Sequence, residues 1–164
     1  MTSMTTASDG AAAEAVALTE LFGREREAVV RQALAAIGRL HGSHYQGAET
    51  ARRLERLYDH VVFAATRRDL GPIVAYAEGL AGERYASGYA LAELQAAFNA
   101  LEEALWETVV AELPADQVAA ALTLVSSIFG VAKDTLACSY VAAVSRTRTQ
   151  ALDVELLAAG AGSA

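Results

Sequence analysis

Three histidines are the sequence's first prospect of chemistry. His41-x-x-His44, followed directly by Tyr45, and His60 are all the histidines in the chain. Neutral imidazole is a ligand for zinc and haem iron, so His41, His44 and His60 are the cofactor-binding candidates. The pattern is incomplete, however. The pair sits in a glycine-containing stretch without a fixed face, no cysteine or acidic residue flanks it, and Asp59 points about 100° away from His60 on a helix. The histidines read better as surface or capping residues, and neither a metal nor a cofactor is expected.

Carboxylates and hydroxyls offer less. Glu102, Glu103 and Glu107 could suggest a di-iron site, but that chemistry needs a Glu-x-x-His pair on each of two helices, and the sequence has no Glu-x-x-His. The three acids flank an apolar seam and are expected on a solvated face. Ser126, Ser127 and Ser139 lie in apolar helical sequence with no nucleophile elbow. No glycine-rich phosphate loop occurs. Catalysis is therefore not expected. Trp106, Tyr76, Tyr85 and Tyr89 could line a ligand pocket between helices, although core and interface packing explains them more simply.

Charge narrows the partners. Twenty acidic residues against 13 basic ones give a net charge of -7 and a pI near 4.9. Such a surface repels nucleic acid, so no nucleic-acid partner is expected. Arg52-Arg53 and Arg67-Arg68 have acids close by in sequence and are expected to pair with acids on helix surfaces. Lys133 is the only lysine. Cys138 is the only cysteine, which allows no internal disulfide and fits a reducing cytoplasm. Residues 1–10 lack the basic and apolar regions of a signal peptide. No uninterrupted apolar run reaches ~18 residues, so no membrane span is expected. These features describe a soluble cytoplasmic protein.

The elements that position these residues are helices. The 164 residues are 54% hydrophobic and 7% aromatic, with a mean hydropathy of +0.25. Alanine and leucine, strong helix formers, dominate. The expected fold is all-α, a five- to six-helix bundle with a long C-terminal helix, dimeric. Its regulatory domain covers 11–158, with flexible tails at 1–10 and 159–164.

A first helix over 11–40 carries Val30, Ala33, Leu34 and Ile37, with a break possible at Gly23. A second over 49–68 turns Leu54, Leu57 or Tyr58, Val61 and Ala65 inward. Pro72 opens a third, over 73–86, with Val74, Ala77, Leu80 and Ala81 inward and Gly88 just past its end. A fourth over 91–113 repeats Leu91, Leu94, Phe98, Leu101 and Leu105 three and four apart.

The fifth helix runs from 115 towards 157 with two apolar stripes. One is Val118, Leu122, Val125, Phe129, Ala132 and Leu136. The other is Leu124, Ile128, Val131, Thr135 and Cys138, and these five are the candidate dimer-interface residues. A helix apolar on two faces must bury both, one against its own core and one against a partner subunit.

The segment from Leu80 to Leu101 carries a resemblance. Arg84, then Gly88 four residues on, then Leu91-x-x-Leu94 with Phe98 and Leu101, resembles the N-terminal helical domain of the RsbT co-antagonist (RsbRD-type) proteins. Similar modules precede some histidine kinases and PucR-type regulators. The likeness extends more weakly over 29–144. It implies an all-helical, dimeric sensory or regulatory domain, which in that family precedes a STAS domain in stressosome signalling. The family supplies no catalytic residues. Because the sequence ends at Ala164, the expectation is a stand-alone regulator or one that signals through its partner. The functional expectation is a non-enzymatic sensor that acts by homodimerisation and contact with a regulatory protein; the alternative is a small-ligand or haem-binding sensor.

Overall fold

The computed structural model describes residues 5–41 and 47–161, with side chains described over 16–39 and 47–149. Within them the chain is all-α. The helices are α1 (Thr5–His41), α2 (Ala48–Arg67), α3 (Gly71–Ala86), α4 (Leu91–Glu112) and α5 (Ala115–Ala161). The expected break at Gly23 is absent, and α1 runs through it. Phe22 beside it is fully buried, and its carbonyl accepts from the Tyr58 phenol at 2.5 Å. Packing and that bond outweigh glycine's cost inside a helix, ~0.5–1 kcal/mol.

Local chemistry sets the helix ends. Arg68 closes α2 in the left-handed conformation, φ 55°. Asp69 then accepts from the Gly71 amide at 2.8 Å, and Pro72 follows in the first turn of α3, where a missing N–H costs nothing. At the other end of α3, Gly88 takes φ 78°. Its amide donates to the Tyr85 carbonyl at 3.0 Å, and the Tyr89 amide reaches back to the Arg84 carbonyl at 3.0 Å. This is a Schellman closure, and it fixes where Tyr89 begins. Glu93 accepts from the Ala90 amide at 2.9 Å and secures the start of α4.

The core follows the expected stripes with one shift of register. On α2, Leu54, Leu57, Tyr58, Val61 and Ala65 are buried as expected. On α4 so are Leu94, Phe98, Leu101 and Leu105. On α3 the buried line is Ile73, Ala77, Ala81 and Arg84, while Val74 and Leu80 are half-buried. Helix α1 lies against α2 and α4, and α3 against α5 and α2, while α4 also packs on α5. Full burial of each large apolar side chain is worth ~1.5–3 kcal/mol. Alanines at the contacts, such as Ala33, Ala77, Ala104 and Ala132, let the helix axes approach.

Helix α5 sends Val125, Phe129, Ala132 and Leu136 into this core. Its second stripe is split along its length between core and surface. Ile128 is only 2% exposed within one chain and Leu124 packs partly on the core, whereas Val131 and Cys138 face outward. Helix α5 packs on α2, α3 and α4, and residues 128 and 129 are both buried there, so Ile128 is covered within one chain. By length and composition Ala115–Thr149 could cross a membrane. It also carries Lys133 and Asp134 near its middle and the buried edge just described.

Candidate ligand-binding cavity

A cavity of about 190 Å³ opens between α2, α3 and the start of α4. Its apolar side is built by Leu54 and Leu57 of α2 and by Leu94, Ala97 and Phe98 of α4. Its polar side carries Arg53, Tyr76, Arg84 and Tyr89, with Glu49 and Glu93. Each reaches the cavity for a local reason. Arg84 is the last member of the inward stripe of α3, seven residues after Ala77. Tyr89 is held by the turn that closes that helix.

Arg84 is 9% exposed. Its guanidinium lies over the Tyr89 ring, 4.3 Å from the centroid, a cation–π contact. Among the described residues it makes no ion pair. The other charged groups on the wall are already engaged. Arg53 donates to Glu49 at 2.9 Å, and Glu93 holds the Ala90 amide. The Tyr76 phenol donates to the Arg53 carbonyl at 3.2 Å, and burial pushes its pKa up to about 12, so it stays a neutral donor. Burial also raises the pKa of Tyr58.

Tyr89 connects the cavity to α5. Its carbonyl accepts from the Tyr140 phenol at 2.7 Å, and Tyr140 meets the Tyr85 ring edge-on at 5.5 Å. Tyr89 therefore bridges the cavity wall and the longest helix.

The histidine candidates are not brought together by the described structure. The His41 side chain and all of His44 lie outside the described residues. His60 lies against Tyr76, with ring centroids 4.9 Å apart and planes tilted by 35°, beside a second recess shared with Arg53, Arg56 and Glu83. Burial lowers its pKa from 6.5, opposed by the charge of Asp59. Among the described residues, no three of His, Cys, Asp and Glu gather as a metal site would require.

The aromatic candidates divide. Tyr76 and Tyr89 line the cavity, whereas Tyr85 packs against Tyr140. Trp106 stands 41% exposed on the far side of α4, over an open groove with Leu122 and Ser126.

The acids on α4 are not all solvated. Glu102 is 9% exposed and accepts from Lys133 of α5 at 2.7 Å, and the same amine reaches Asn99 at 3.1 Å. The position flanks the seam, but α5 packs over it, and the only lysine supplies its counter-charge. Of the expected arginine pairs, Arg53 meets Glu49 at 2.9 Å and Arg52 reaches it at 4.0 Å, whereas Arg67 and Arg68 make no ion pair among the described residues; Arg26 grips Asp59 through both carboxylate oxygens, 2.9 and 3.0 Å.

The sequence reading missed the cavity role of Arg84. The signal was present: with Ala77 and Ala81 inward, helical spacing carries position 84 inward too, and an arginine in core register is unusual. Comparison of the chain with protein-family models, with curated proteins and with solved structures finds no match.

Proposed function

We propose that this chain is a non-enzymatic helical sensor or regulatory domain that binds a small molecule between α2, α3 and α4. One observation carries the reading: Arg84 is a buried cation on a cavity wall, without a carboxylate partner among the described residues. Burying a charge is costly unless something pairs with it, so such a residue points to a charged or polar ligand. Bundles commonly place ligand sites between facing helices. Three residues that carry the resemblance to the RsbT co-antagonist domain, Arg84, Leu94 and Phe98, also line the cavity. The route outward runs from Tyr89 through Tyr140 to α5.

A fragment screen read by two-dimensional NMR tests this. Binders should shift resonances of Leu57, Arg84, Tyr89 and Phe98 together. A screen to millimolar concentration that moves none of them would sink the proposal.

Homodimerisation through α5, with a regulatory protein downstream, is the second reading. It is favoured by Val131, 37% exposed, and Val141, 57% exposed, with the Cys138 thiol between them. Sedimentation equilibrium at micromolar concentration should give a dimer mass, and a monomer would remove this reading.

A further inference from the structure

We infer that the ligand is a small monocarboxylate with an apolar body, about the size of an arylacetate, its carboxylate held by Arg84. This rests on the reading of the cavity as a ligand site and assigns the chemistry that site selects. Of the four charged side chains on the wall, Glu49 and Arg53 neutralise each other at 2.9 Å, and Glu93 keeps its charge at the start of α4, where it accepts from the Ala90 amide at 2.9 Å and the helix dipole favours an anion. Arg84 is the cation left without an ion pair among the described residues. The guanidinium carbon stands over the Tyr89 ring, 4.3 Å from its centroid, and no carboxylate meets it among the described residues. A cation–π contact leaves the N–H donors of a guanidinium unspent, and that fork matches a carboxylate through both oxygens.

The remaining wall decides the rest of the molecule. Leu54, Leu57, Leu94 and Phe98 offer no polar side-chain atoms, and beside them stand the Thr50 hydroxyl and the Tyr76 phenol, the latter already donating to the Arg53 carbonyl, so most of the ligand's body meets apolar surface. A dry cavity of ~150 Å³ is known to hold a benzene ring. The 190 Å³ here leaves room for a ring and a short acid arm. A single unpaired guanidinium also suits one negative charge. A phosphate dianion would need further donors, and the other cation on the wall is already paired.

Calorimetric titration of the full chain with phenylacetate, phenylacetamide and inorganic phosphate tests the assignment. Phenylacetate should bind at least ~10-fold more tightly than the neutral amide, the worth of a charged hydrogen-bonded pair. Arg84→Met should erase that preference. Without ligand the variant should melt at the same temperature or higher, because an unpaired buried charge has gone, and circular dichroism confirms its fold. Equal affinity for acid and amide would overturn the carboxylate assignment and leave a small-ligand site standing. Tighter binding of phosphate than of phenylacetate would overturn it too. If none of the three probes binds, the assignment fails; the NMR screen with neutral and cationic fragments then decides separately whether the cavity binds anything.

Discussion

The Tyr140 phenol donates to the Tyr89 carbonyl at 2.7 Å, and the Tyr89 ring lies beneath the Arg84 guanidinium. One residue thus touches both the cavity's cation and the longest helix. Tyr140→Phe removes only the hydroxyl and with it this part-buried hydrogen bond. It should lower the unfolding free energy by about 1 kcal/mol, measured by urea denaturation. No change in midpoint would show that the contact is idle.

Two glycines of similar sequence setting should respond in opposite directions. Gly88 sits at φ 78°, where a side chain is strained, so Gly88→Ala should destabilise by ~1–2 kcal/mol. Gly82 lies inside α3 with open space where a Cβ would stand, so Gly82→Ala should stabilise by ~0.5–1 kcal/mol. Thermal melts of the two variants check both signs. Gly88→Ala should also weaken any ligand that Arg84 holds, because Tyr89 starts from that turn.

The Glu102–Lys133 pair joins α4 to α5 at 2.7 Å. Lys133→Met strands a nearly buried carboxylate and should cost ~1.5–3 kcal/mol. Adding Glu102→Leu should recover most of that loss, since an apolar pair of similar volume needs no counter-charge. A double-mutant cycle in urea reads the coupling. Additive losses would mean that the two residues do not interact.

His60 makes stability depend on pH in a defined direction. Burial lowers its pKa below 6.5, so the folded chain favours neutral imidazole. Above pH 6.5 both folded and unfolded chains hold it neutral, and it contributes nothing to the slope. As pH falls below that value, the unfolded chain binds a proton that the folded chain resists, and stability drops until the folded pKa is passed. Urea midpoints between pH 5 and 7.5 should fall less steeply for His60→Gln than for the wild type. Parallel slopes would contradict this.

The two faces of α5 can be separated by charge insertion. Ile128→Asp puts a carboxylate in the core, where it has no partner, and should unfold the chain or cost more than ~3 kcal/mol. Val131→Asp, on a position 37% exposed, should leave the monomer's far-UV circular dichroism intact. If α5 joins two copies, Val131→Asp should instead lower the sedimenting mass.

Helices were legible where apolar periodicity was strict. On α2 and α4 the inward residues follow from spacing alone, because leucines and aromatics outnumber alternatives on one side. On α3 and α5 the pattern was ambiguous. Alanine is compatible with inside and outside alike, so Ala77 and Ala81 could not decide between Val74 and Ile73. On α5, two adjacent apolar stripes looked like two surfaces, but contact with α2, α3 and α4 buries both Ile128 and Phe129. Gly23 reads as a break from propensity, yet the burial of Phe22 decides otherwise. The cavity was less legible still. Tyr76 and Tyr89 were among its candidate residues, but Arg53 and Arg84 converge from separate helices, and their approach is a property of the packing. The Ala90-x-x-Glu93 spacing is that of a capping box and is local, whereas nothing local shows that Arg84 is left without an acid.

The placement of Lys133 has a practical side. The sequence holds no other side-chain amine, and this one is already engaged by Glu102 and Asn99. Reagents that tag or bridge lysines would find almost nothing to react with on the folded surface. A search for binding partners by amine crosslinking would stay nearly silent whatever the protein touches. Thiol reagents directed at Cys138, exposed on α5, offer the more informative handle.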